Sequence, residues 1–196
     1  KLATDRCAGL PVEIRLQRYQ DLPPEEMFDR IYSIGMFEHV GAKNYREYMQ
    51  TIYDHLEEGG LTLLHTIGKK YPQAMDPWFK KNVWPNSVIP AKAQIDEASK
   101  PFPHGGELAQ EDFHEFGKYY DRTLMEWHKN LMNNREALQA RHPEYDDKFF
   151  RMMEYYLLAS AGSFRARVNQ LFQIVYSKNG LPDSYEKVRF ETPPAA

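Results

Sequence analysis

The chain has 196 residues, 42% of them apolar and 14% aromatic, which is enough to bury one sizeable core and lies outside the range of disordered chains. A formal charge of -3 and a pI near 6.2 supply no global basic field and argue against nucleic acid as a partner. The single cysteine, Cys7, excludes an internal disulfide and suits a reducing cytosol; no apolar run approaches the ~20 residues of a membrane span, and the amino terminus lacks a signal pattern.

Lys1-Leu2-Ala3-Thr4-Asp5-Arg6-Cys7-Ala8-Gly9 reads as the last turns of a helix closed by a C-cap glycine, so the sequence is expected to open within a domain. Residues 12–19 set Val12, Ile14 and Leu16 against Glu13, Arg15 and Gln17, the alternation of a half-exposed strand, until Pro23-Pro24 breaks it. A second strand is predicted at 28–35. From Asn44 the spacing of Tyr45, Tyr48, Met49, Ile52 and Leu56 is helical, and Gly59-Gly60 ends it. Residues 61–67 are apolar nearly throughout, as a parallel strand covered on both faces should be. Strand, strand, helix, strand in this order predicts an α/β fold on a doubly wound sheet.

Residues 69–106 then hold Pro72, Pro77, Pro85, Pro90, Pro101 and Pro103 interleaved with Trp78, Trp84 and Phe102. So many breakers among large apolar groups predict an ordered excursion able to wall a cavity. A long helix is expected over 110–141, with Phe113, Phe116, Tyr120, Leu124, Trp127 and Leu131 on one stripe. A second should follow Pro143, with Phe149, Met153, Tyr156, Leu157 and Ser160 inward. The chain closes with a strand at 170–176, a turn at Asn179-Gly180, an edge strand at 187–190 and a disordered tail at 191–196.

Several residues carry chemistry. Glu38 either caps the helix that follows it or serves a site at a strand end, and its neighbour His39 need not share that role. His65, inside the apolar strand, is either a hydrogen-bonded core group or a site residue at the strand's carboxyl end. The aromatic stripe reads as core or as a ligand box, and one helix face cannot bury both rings of Tyr119-Tyr120. Arg165 and Arg167 flank a helix-to-strand junction, as cations at a helix end or as anion contacts. The remaining histidines are scattered, which disfavours a metal site, and neither Gly59-Gly60 nor Gly105-Gly106 has the context of a phosphate loop.

The run Asp29-Arg30-Ile31-Tyr32-Ser33-Ile34-Gly35-Met36-Phe37-Glu38-His39-Val40-Gly41 closely resembles the corresponding segment of cyclopropane-fatty-acyl-phospholipid synthases and the related mycolic acid methyltransferases. Further matches follow in order: Leu63-Leu64-His65-Thr66-Ile67-Gly68, Asp76-Pro77-Trp78, Trp84-Pro85-Asn86, the segment Phe116-Gly117-Lys118-Tyr119-Tyr120-Asp121-Arg122-Thr123-Leu124-Met125, and Ala161-Gly162-Ser163-Phe164-Arg165-Ala166-Arg167. The likeness runs from Asp5 to about Lys178.

The resemblance implies a Rossmann-like class I S-adenosylmethionine-dependent methyltransferase that builds a cyclopropane ring across a cis double bond of an unsaturated phospholipid. It implies bicarbonate as the base, held by Glu38, His65, Tyr120 and the backbone of Ile67. Gln17, Arg18 and Gly35 fall at positions that meet the cofactor, and Arg165 and Arg167 at positions able to meet a lipid phosphate. Residues 1–190 are then part of a catalytic domain, with 69–165 forming the acyl pocket as a partly helical insertion. The family's amino-terminal strands and glycine-rich loop have no counterpart in this sequence, so the isolated chain is expected to be an inactive fragment. The setting implied is cytoplasmic, in peripheral contact with the inner face of the membrane, with a homodimer open to the full-length enzyme.

Two departures stand out. Arg18 replaces an acid common in the family, and Ser160-Ala161-Gly162 stands where several relatives carry Cys-Ala-Gly. Two alternatives accompany this reading: a sister enzyme leaving a methyl or methylene branch, and a non-catalytic lipid-binding module.

Overall fold

The computed structural model describes residues 1–183 and 185–186. After helix α1 (Leu2–Arg6) come strand β1 (Phe28–Ile34), helices α2 (Phe37–Val40) and α3 (Tyr45–His55), and the long strand β2 (Leu56–Lys69). Helices α4 (Pro77–Asn82) and α5 (Lys92–Ser99), strand β3 (Leu108–Glu115), helices α6 (Gly117–Asn133), α7 (Arg135–Arg141) and α8 (Asp147–Arg165), and strand β4 (Asn169–Lys178) complete it.

Among the described residues the strands form one four-stranded sheet in the order β1-β2-β4-β3. β1 runs parallel to β2, with Ile34 opposite His65, whereas β2 and β3 both pair antiparallel with β4. The sheet is therefore mixed, and β2 has a parallel neighbour on one side only. Side chains alternate across a strand, so each face gathers its own core. One face carries Leu56, Leu64, Phe172 and Ile174 against α3 and α5, through Tyr48, Met49, Ile52 and Ile95. The other carries Ile67 and Leu171 beneath α6 and α8, through Leu124, Leu157, Ala161 and Phe164. Fully burying a side chain such as Leu124 or Leu157 contributes about 1.5–3 kcal/mol.

Local chemistry explains the helix starts. Asp76 accepts from the Trp78 and Phe79 amides at 2.8 and 3.3 Å ahead of Pro77, and Asp146 accepts from the Phe149 amide at 2.8 Å. Asn179 and Gly180 both have positive φ (60° and 83°), and the chain bends at Asn179, whereas the turn itself falls at Pro182-Asp183 and not at the expected Asn179-Gly180.

Four further expectations are corrected. Residues 12–18 form no strand: no neighbour pairs with them among the described residues, and Val12, Ile14 and Leu16 lie open at 50%, 45% and 108% exposure. The helix expected over 110–141 is three elements, because the β4 ladder claims residues up to Glu115 as β3 and the helical run breaks at Asn134. The strand expected at 61–67 starts already at Leu56. The excursion after β2 contains two helices, and its Phe102 belongs to the α3/α5 core instead of a cavity wall. The edge strand at 187–190 and the tail at 191–196 fall outside the described residues.

β2 and β4 meet so closely at Gly68 that a Cβ there would lie 1.9 Å from the Phe172 ring. Gly68→Ala should lower stability by about 1–3 kcal/mol, read from the midpoint of urea unfolding. Adding Phe172→Leu, which shortens the obstructing side chain, should recover part of that loss.

Candidate functional site

The parallel register of β1 and β2 brings their carboxyl ends side by side, where the Gly35 amide donates to the His65 carbonyl at 3.0 Å. Gly35 takes φ +65°, a left-handed conformation costly for residues with a Cβ, and the chain turns there into α2. That turn returns Glu38 over the end of β2. Glu38 is 7% exposed, and its Oε1 accepts a 2.7 Å hydrogen bond from the Ile67 amide. Among the described residues its Oε2 is buried without a partner. The Glu38 carbonyl in turn accepts from the Val88 amide at 2.8 Å and the Ser87 hydroxyl at 3.2 Å, which pins the excursion above the strand end.

Glu38, Ile67, Gly35 and Tyr120 line one cleft of about 350 Å³ between the strand ends, the excursion, α6 and α8. Phe79, Trp84, Tyr156 and Phe164 give it largely aromatic walls. Tyr120 is half-buried, with its ring edge-on to Phe164 at 5.0 Å, while Tyr119 is 49% exposed, so the helix separates the two phenols. Burial raises the Tyr120 pKa, helped by Tyr156 and the nearby negative charge of Glu38, so the group keeps its proton at neutral pH.

His65 stands beside this cleft. Its Nδ1 meets the Gln173 amide nitrogen at 3.2 Å, which makes Nδ1 the acceptor, and its ring lies edge-on to Phe116 at 5.7 Å. Burial lowers its pKa, and Glu38 opposes that shift only partly. The imidazole is thus biased towards its neutral form.

The other expected site residues lie elsewhere. Gln17 donates to the Asp21 carbonyl at 2.6 Å, and Arg18 makes a two-pronged pair with the Asp21 carboxylate at 2.8 Å. Arg165 pairs with Asp121 at 2.9 and 3.0 Å, and neither it nor Arg167 lines the cleft. Of the positions assigned to the cofactor, Gly35 alone faces the cleft, and apart from its chain neighbours no atom of the described residues lies within 4 Å of where its Cβ would be. That bare backbone fits close approach by a ligand, and the orphan Glu38 oxygen fits an anion able to share or donate a proton. Among the described residues no cluster of three or more His, Cys, Asp or Glu is placed to hold a metal. Sequence reasoning missed Phe79, Tyr156 and Lys69 as cleft residues; the excursion's aromatic density was the available signal for the first, and nothing local marked the last.

Comparison with known proteins places these features in context. Residues 4–174 match the family model described as mycolic acid cyclopropane synthetase. The cyclopropane-fatty-acyl-phospholipid synthase of Escherichia coli (strain K12) is 46% identical over 189 residues, covering 92% of this chain. A probable fatty acid methyltransferase of Pseudomonas putida is 31% identical over 85% of this chain. The chain spans 46% and 42% of the lengths of these two relatives. In structure, the cyclopropane synthase MmaA2 from Mycobacterium tuberculosis superposes with a TM-score of 0.73 at 20% identity, over 89% of this chain and 65% of that one. The fold is thus Rossmann-like, of the S-adenosylmethionine-dependent methyltransferase class.

The opposed influences on His65 are separable by pH titration of its ring resonances in NMR. The wild-type imidazole should titrate below its ordinary 6.5. Glu38→Gln removes the charge that raises it, so the pKa should fall further; an upward shift would contradict the arrangement.

Proposed function

The chain belongs to the mycolic acid cyclopropane synthetase family, and from that premise we propose that it carries part of the catalytic unit of an S-adenosylmethionine-dependent lipid C-methyltransferase. Its substrate is the cis double bond of an unsaturated phospholipid acyl chain, and its product a cyclopropane fatty acid. The observation that carries this reading is the Glu38 carboxylate, fixed by the Ile67 amide at 2.7 Å with its second oxygen buried and unpartnered at an aromatic cleft.

The residues present suit the chemistry. An alkene is a feeble nucleophile, so it must be held in place in a dry pocket, where positioning supplies much of the acceleration. S-Adenosylmethionine supplies an electrophilic methyl group when bound, and Gly35 is the cleft residue that would meet it. Attack by the double bond leaves positive charge on carbon. The ring faces of Tyr120, Tyr156 and Trp84 are suited to stabilise that charge. Closing the ring requires loss of a proton from the added methyl. Glu38, through a shared proton, and neutral His65, the Tyr120 hydroxyl and the Ile67 backbone would hold a bicarbonate, which would supply the base for this proton.

In this reading the excursion residues from Met75 to Ile89, together with α6 and α8, shape the acyl pocket, while α5, Phe102 and β3 of the expected 69–165 span belong to the opposite core. The lipid is reached by peripheral contact from the cytoplasmic side, and a homodimer of the complete enzyme is compatible with it. Because the Pseudomonas relative bears the name of a fatty acid methyltransferase, a branched product is the second reading. In a methyl-branched alkene the proton leaves a chain carbon instead of the added methyl, and in a methylene branch a 1,2-hydride shift precedes loss of the methyl proton.

The test uses the full-length protein with S-adenosylmethionine and vesicles of a cis-monounsaturated phosphatidylglycerol. A product heavier by one methylene group, with ring-proton signals in NMR, is expected; vinyl or methyl-branch signals would select the second reading. Glu38→Gln should lower the turnover number about 10²- to 10³-fold, and full turnover by that variant would exclude the role given to Glu38.

A further inference from the structure

The cleft holds a charged group that this reaction scheme does not use. Lys69, the last residue of β2, lines the cleft with Glu38 and Tyr120. It lies two residues beyond Ile67 and four beyond His65, so all three side chains leave the same face of the strand. Lys69 is only 8% exposed. Its backbone amide is used by the Pro90 carbonyl at 2.9 Å, but among the described residues no carboxylate or carbonyl engages its ammonium. Neither acid on the cleft bonds the ammonium: Asp76 caps α4 through the Trp78 and Phe79 amides, and Glu38 gives Oε1 to Ile67 while its Oε2 makes no bond to Lys69.

The lysine stem is buried and its ammonium opens onto the cleft, so the charge loses part of its hydration and gains no partner in return. Burial alone pushes its pKa below the ordinary lysine range. A bare ammonium here would also oppose any positive charge developing on the substrate. An oxyanion bound beside it removes both penalties. Arg165 does not offer this, because its guanidinium is spent on Asp121 away from the cleft.

We propose that Lys69 is an oxyanion-binding residue of this cleft, its ammonium taking the negative charge of a ligand that enters there. Resting on the lipid methyltransferase reading, that ligand is either the phosphate of the lipid head group or the bicarbonate held at Glu38. The shared chemistry is a singly charged oxyanion hydrogen-bonded to a partly desolvated ammonium.

Lys69→Met and Lys69→Arg in the full-length protein test this with two readouts. The first needs no turnover: the thermal midpoint with sodium bicarbonate, or with micellar short-chain phosphatidylglycerol, added. Wild type and Lys69→Arg should be stabilised by at least one of these anions, and Lys69→Met should lose that stabilisation. The second is steady-state kinetics, in which Lys69→Met should raise the half-saturating concentration of the same ligand about tenfold. A rise in the lipid KM at saturating bicarbonate identifies the head-group phosphate; a rise in bicarbonate requirement at unchanged lipid KM identifies bicarbonate. Equal stabilisation of wild type and Lys69→Met by both anions, or of neither protein by either, would overturn the proposal. If wild type transfers no methyl group yet is stabilised through Lys69, the methyltransferase reading fails and the oxyanion site stands. Should Lys69→Met not fold, acylation of Lys69 in wild type decides by peptide mass spectrometry: slowing by either anion supports the site, and an unchanged rate overturns it.

Discussion

The hydrogen bond from the Ile67 amide to Glu38 Oε1 ties together segments that sequence separates. α2 is a single turn with no side-chain cap of its own, so its orientation over the sheet depends on this contact and on the apolar seat of Phe37. Through its carbonyl, the same glutamate holds the excursion at Ser87 and Val88. One residue therefore registers β1, β2 and the cleft roof against each other. Losing it would leave a buried amide without a partner, at a cost of about 1–3 kcal/mol. Fixing one carboxylate oxygen also leaves the other to the cleft, so the contact that orders the site leaves it a hydrogen-bonding valence for a ligand.

Around that contact the sheet divides its work between faces. The face under α3 and α5 is closely packed and structural, with Gly68 set against Phe172. The opposite face is only partly covered: His65 and Ile67 are half-buried, and on β1 Tyr32 and Ile34 remain 74% and 61% exposed. Chemistry needs such incomplete burial, since groups sealed on every side cannot meet a ligand. The cost is an apolar surface that favours association wherever nothing covers it.

Much of this was legible in local sequence. The apolar run of β2, the helical spacing of α3 and the bend at Asn179 depend on near neighbours, and the position of Glu38 just past the end of β1 was legible too, although it left a cap and a site role equally open. β3 was not legible, because Phe113 and Phe116 stand at helical spacing and only pairing with the distant β4 makes the segment a strand. Residues 12–18 failed in the opposite sense: their alternation is that of a strand, but a strand exists only with a partner. Lys69 was hidden for the same nonlocal reason. A lysine closing a strand reads as solvated, and it is buried because the chain comes back at Pro90 and Ala91 to cover it.

The central claim is that the free oxygen of the clamped Glu38 carboxyl holds a small anion at the cleft. Carbon-13 NMR of labelled bicarbonate, with the full-length protein at substoichiometric amounts, tests it most directly. The account predicts a bicarbonate line broadened by the wild-type protein and sharpened again when Glu38→Ala replaces it. Equal line widths with the two proteins would contradict it.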